Sequence, residues 1–246
     1  MDEKKEPMLD KKSSRRSFMK NSSIAVGGIV LGGSLGTLLT RKSDAPGKTG
    51  VNTAGEHADY TEALQFFRRK IDFDTLGAAM EQIYPEDSNG PGALALNAHY
   101  FLDKQLAGNW GTNRDDYRKT PFQPGESPLN NREAFIEGSR KLQEVAENDH
   151  DGTPFISLTA DQQIAILERF EAGEVEMELV NSAQFFTLLR SATLQGCFSD
   201  PLYGGNKNMA GWVMKEFPGA QMSYIAYTQE EEFVKIPPIS LGGHSQ

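Results

Sequence analysis

The chain has 246 residues, 38% hydrophobic and 24% charged, an ordinary globular composition long enough for one good core or two small domains. Its net charge of −9 is unevenly spread: residues 1–42 hold nine Lys and Arg against four Asp and Glu, a surplus of five positive charges, so the remainder carries −14. A body this acidic repels phosphate backbones, and no basic stripe with interleaved aromatics relieves it, which argues against nucleic-acid binding and against anionic membrane surfaces.

The positive surplus belongs to a leader. A basic region with Lys11, Lys12, Arg15, Arg16 and Lys20 precedes the apolar run Ile24 to Leu39, which contains Gly27, Gly28, Gly32, Gly33 and Gly36. That run is short for a spanning helix of about 20 residues, and its glycines weaken both helix and hydrophobicity, so it reads as a signal segment. Within the basic region, SRRSFMK resembles the twin-arginine signal through Arg15, Arg16, Phe18 and Lys20, with Met19 where leucine is common. Arg41 and Lys42 after the apolar run hinder the alternative route for unfolded chains. The expected location is therefore the periplasm, at the inner membrane. No clean A-x-A triplet follows, so the signal is either cleaved or kept as an anchor.

A polar linker over residues 43–58 separates this leader, residues 1–42, from a body of residues 59–246 whose dominant period is helical. Leu64, Phe67 and Ile71 predict a first helix over Asp59 to Lys70. Asp74 as N-cap begins a second, which stops at Pro85 ahead of the loop PEDSNGPG. A third is predicted over Ala93 to Ala107, with Leu94, Ala98, Phe101 and Leu102 on one face and Gly108 at its end. From Asn109 to about Leu129, Pro121, Pro124 and Pro128 preclude a regular helix and leave an ordered loop or docking arm.

Helix returns from Asn131 to Glu147, and again after Thr159, which forms a capping box with Gln162 and leads a helix ended by Gly173. The last and longest predicted helix runs from about Val175 to Phe198, with Pro201 marking its end. No alternating strand series appears, and Val234 to Ile239 is too rich in proline to count as one. The expected fold is an all-α orthogonal bundle of about six helices, with an ordered glycine and aromatic loop region near the C-terminus.

The body carries no recognisable catalytic pattern. It lacks G-x-G-x-x-G, G-x-x-x-x-G-K-[ST], H-E-x-x-H, C-x-x-C-H and G-x-S-x-G, which argues against a bound dinucleotide or c-type haem. Cys197 is the single cysteine, so it makes no internal disulfide and reads as a small buried apolar residue. Of the four histidines, His57 and His244 lie in tail-like segments, and His99 reads as a hydrogen-bonded core or interface side chain. Asp149-His150-Asp151 lacks calcium-loop spacing and reads as an acidic helix end, while Asp115-Asp116 and Glu230 to Glu232 read as solvated charge runs. No catalytic, cofactor-binding or metal-binding residue is expected in this chain.

The informative stretch is TLLRSATLQGCFSDPLYGGNKNMAGWVMKEFPG. Its glycines permit positive φ and close backbone approach, and Tyr203, Trp212 and Phe217 supply large anchoring surfaces. Two readings stand side by side, a loop wrapping its own bundle and a partner surface formed by Tyr203, Gly204, Gly205, Asn206, Trp212 and Phe217.

The same stretch carries a family resemblance, through Phe186, Leu189, Arg190, Thr193, Leu194, Gly196, Phe198, Asp200, Pro201, Tyr203, Gly204, Gly205, Asn206, Gly211, Trp212, Phe217, Pro218 and Gly219. It resembles the gluconate 2-dehydrogenase subunit 3 family, the small gamma subunits of membrane-associated sugar and polyol dehydrogenases. Weaker resemblance in FDTLGAAMEQIYPED and LTADQQIAILERFEAG extends it over roughly residues 60–227. The resemblance implies an accessory chain paired with a large FAD-binding flavoprotein and often with a cytochrome c subunit carrying haem c. It implies that the small subunit lends its export signal to the flavoprotein at the twin-arginine translocase. The alternatives are an independent periplasmic enzyme and a small-molecule binding protein, each with an unrecognised site.

Overall fold

In this computed structural model the described residues are 62–116, 121–122 and 126–242. The chain divides into Met1–Ala58 and Asp59–Gln246. The leader with Arg15, Arg16, Phe18 and Lys20, the linker, and also His57 and His244 lie outside the described residues.

Seven helices and no strand occur among the described residues: α1 Lys70–Ile83, α2 Ala98–Ala107, α3 Asn109–Thr112, α4 Asn131–Asp149, α5 Ala160–Glu171, α6 Ser182–Phe198 and α7 Ala210–Met214. The expected all-α bundle is the fold. α6 is the central element and packs most extensively against α2 and α5. Its Phe185 meets Phe135 of α4 and Phe170 of α5 edge-on, at centroid distances of 5.8 and 5.9 Å. Gly138 makes this possible, because a Cβ there would stand 2.1 Å from the Phe185 ring. All three rings are fully buried, each contributing roughly 2–3 kcal/mol of transfer free energy.

Local signals in the sequence place some helices well. The box before α5 forms as expected, Thr159 accepting from the Gln162 N–H and Gln162 answering the Thr159 N–H. α4 has a second such box, between Asn130 and Glu133. Gly173 stops α5 in the left-handed region at φ 75°.

Five predicted elements need correction. The helix over Asp59 to Lys70 does not form in its described part, residues 62–69, because a distant carboxylate claims the backbone. Asp103 of α2, fully buried, accepts from Gln65 N–H at 2.6 Å, Phe66 N–H at 3.0 Å and Phe67 N–H at 2.9 Å. Three charge-assisted bonds outweigh a marginal helical turn. The helix then starts at Lys70, so Asp74 is no N-cap but the partner of Lys70 one turn back, at 2.6 Å.

α2 starts at Ala98, five residues later than its pattern indicates, because Asn97 sits in the left-handed region at φ 57°. Leu94 is thereby turned out to solvent, its N–H held by Glu81 Oε2 at 2.8 Å. α6 likewise begins only at Ser182, where Asn181 caps it by accepting from the Ala183 N–H at 2.9 Å; Val175 and Val180 are buried from an irregular segment instead. Finally, the stretch after Gly108 opens with the short α3, whose Trp110 packs on Phe135. Arg132 donates to Leu106 O and Ala107 O, capping the end of α2.

The Asp103 contacts make a direct stability test. Asp103→Ala leaves three backbone donors without their acceptor and is expected to lower unfolding free energy by about 3 kcal/mol or more, measured by urea denaturation. A loss below about 1 kcal/mol would contradict this assignment.

Candidate functional site

The glycine and aromatic loop is built on the last turn of α6. Gly196 allows the crossing with α2: a Cβ there would stand 2.8 Å from the Ala98 Cα. Its carbonyl accepts from the Asn206 N–H at 2.8 Å, and Gly205 lies so close that a Cβ would reach 2.1 Å from the same oxygen. Asn206 is the fully buried hub, in the left-handed region at φ 45° that asparagine tolerates. Its Nδ2 donates to Ser199 O at 2.9 Å and its Oδ1 accepts from Gly211 N–H at 2.8 Å, tying the end of α6 to α7.

α7 then delivers Trp212. Its Nε1 donates to Phe198 O at 2.7 Å, and its ring meets Phe217 edge-on at 5.3 Å. Gly219, at φ 70°, passes beside that indole. Asp200 closes the other side: Oδ1 accepts from Leu202 N–H at 2.9 Å and Ser240 Oγ at 2.7 Å, and Oδ2 accepts from Leu241 N–H at 2.7 Å.

The six candidate interface residues therefore divide. Gly204, Gly205, Asn206 and Trp212 are buried in the chain's own packing. Tyr203 and Phe217 are 47% and 48% exposed, and Leu202 and Val213 join them as outward apolar side chains that no motif or period in the sequence marks. Beside Tyr203 runs a shallow groove lined by Phe101, Gln105, Leu194, Gln195 and Phe198. The loop thus wraps its bundle with one set of residues and presents an apolar rim with another.

A family model described as gluconate 2-dehydrogenase subunit 3 matches residues 70–219, which span α1 through this loop. The chain belongs to that family. For a subunit 3 chain, membership implies a complex with a dehydrogenase partner. No curated protein and no solved structure gives a significant match.

The titratable groups of this subunit 3 chain are subdued. Burial pushes the Cys197 thiol up to about 12, the nearby Glu81 charge adding to the effect, so it stays protonated at neutral pH. Burial lowers His99 to about 4, against the opposing charges of Asp74 and Glu62, so the ring is neutral at physiological pH. His99 packs against Phe73 and Tyr100 at 4.9 and 4.5 Å, and its buried Nδ1 has no hydrogen-bond partner among the described residues, unlike the bonded side chain expected. Asp149 pairs with Arg169 and His150 Nδ1 meets Gln162 Nε2 at 3.3 Å, while Asp151 turns the chain at φ 52°. Among the described residues no group of three or more His, Cys, Asp or Glu is placed to hold a metal ion.

The division between fold and rim residues can be measured. Asn206→Ala loses the bonds at Ser199 and Gly211 and forces alanine into the left-handed region, and is expected to cost about 3 kcal/mol in chemical denaturation. Tyr203→Ser on the exposed rim is expected to change stability by about 0.5 kcal/mol or less. Equal losses at the two positions would contradict the division.

Proposed function

We propose that the chain is the non-catalytic gamma subunit of a periplasmic, membrane-associated dehydrogenase that oxidises a sugar or polyol. In this reading it assembles with a flavoprotein subunit, which holds FAD, and takes that folded subunit through the twin-arginine translocase. The observation that carries the reading is the family match over residues 70–219 in a chain that also carries SRRSFMK at residues 14–20, ahead of a glycine-rich apolar run. A signal of that type serves cargo that must fold around a cofactor before crossing. The body it heads has one cysteine and no dinucleotide or haem motif, so the cofactor is assigned to a passenger.

The chemistry of the loop supports a binding role. Leu202, Tyr203, Val213 and Phe217 present apolar surface from short segments that buried hydrogen bonds hold in place, and such preorganised aromatic anchors lose little entropy on association. Any haem c would belong to a third, cytochrome subunit. No helix among the described residues is long and apolar enough to cross a membrane, so membrane association would come through the leader or through other subunits.

Replacing Arg15 and Arg16 by lysine removes the pair the translocase reads while keeping the charge. The partner flavoprotein is then expected to accumulate in the cytoplasm, followed by cell fractionation and flavin content. Its continued appearance in the periplasm would contradict the export role.

A further inference from the structure

The family match ends at Gly219, and there the chain leaves the bundle to return at Ile239. The neck of this excursion is built. Ala220 N–H donates to Ile239 O at 2.7 Å, Ile239 N–H to Pro218 O at 3.2 Å, and Gln221 Nε2 to Pro218 O at 2.9 Å and Pro237 O at 3.1 Å. Lys235 pairs with Glu216 beside it. Between these ties, residues 221–237 form a closed loop with its own local order, a 3₁₀ turn at Ile225–Tyr227 held by Thr228 Oγ1 to Ile225 O at 2.9 Å.

What this loop presents is unusual for its size. Met222 is 100% exposed, Ile225 80% and Phe233 75%, all outward from an anchored base. Interleaved with them is the acidic run Glu230 to Glu232, also exposed, and residues 221–234 contain no Lys or Arg. Large apolar side chains held out by a closed neck are organised to enter a surface that covers them.

Charge selects among the surfaces. An anionic lipid face repels three adjacent glutamates on a body carrying −14. A second copy would bring the same acidic run against itself. A protein groove with an apolar floor and a Lys/Arg rim satisfies both parts of the loop.

We propose that residues 221–237 are a docking arm. Met222, Ile225 and Phe233 enter an apolar groove on the dehydrogenase subunit, and Glu230 to Glu232 meet a basic rim there. The arm lies beyond residues 70–219, the part of the chain that the family model matches. This inference rests on the subunit role proposed above.

The test uses the full tagged chain co-expressed with its dehydrogenase subunit, identified by mass and flavin absorbance after affinity purification. Met222→Ser, Ile225→Ser and Phe233→Ser together are expected to lower dehydrogenase retention roughly tenfold or more, with the thermal midpoint of the isolated chain unchanged. Glu230→Lys, Glu231→Lys and Glu232→Lys are expected to weaken retention as well, most at low salt. Retention by both variants equal to the parent would overturn the arm and leave the subunit role standing. A parent chain that retains no dehydrogenase would instead overturn the subunit role, and the arm with it. Sedimentation of the parent, but not the serine variant, with phosphatidylglycerol vesicles would overturn the choice of a protein partner.

Discussion

Backbone contact between α6 and α2 at Gly196 and Ala98 is the constraint from which the C-terminal third of the molecule is built. The absent Cβ brings the two helices together and leaves the Gly196 carbonyl to accept from Asn206. Asn206 in turn fixes Ser199 and Gly211, Gly211 starts the path to Trp212, and Trp212 sets Phe217 and the passage of Gly219. Each step depends on the one before, so the exposed rim at Tyr203 and Phe217 owes its position to residues that are themselves buried. α2 carries a second tie at its other face, where Asp103 gathers the backbone ahead of α1.

This dependence explains what could be read in the sequence. Elements governed by local chemistry were legible: the Thr159 box, the stop at Gly173, the proline-bounded loop after α1 and the absence of strands among the described residues. Elements governed by distant groups were not. Nothing near Leu64 announces that Asp103 will take the N–H groups of Gln65, Phe66 and Phe67, and nothing around Leu94 announces that Asn97 will turn left-handed. A 3.6-residue pattern records which side chains are apolar, and tertiary hydrogen bonds decide whether the backbone follows it.

The candidate site was legible as a region more than as a set of atoms. Density of glycine signals close backbone approach, and here the approach is largely within the chain, which is why Gly204, Gly205 and Asn206 are buried. The outward residues carry a fainter signal: Met222, Ile225 and Phe233 are apolar without helical or strand period, in a segment with no glycine between 220 and 241. Such residues gain nothing from the chain's own core, and their exposure is the physical reason to look for a partner.

On the proposed reading the leader serves export, while the bundle's rim and the arm serve assembly with the partner. On that reading the redox chemistry resides in the partner. The most direct measurement is sugar-dependent dye reduction by the complex purified from membranes, repeated on the small chain after it has been separated from its partner. The account predicts that flavin and turnover both stay with the partner; turnover by the isolated chain would contradict it.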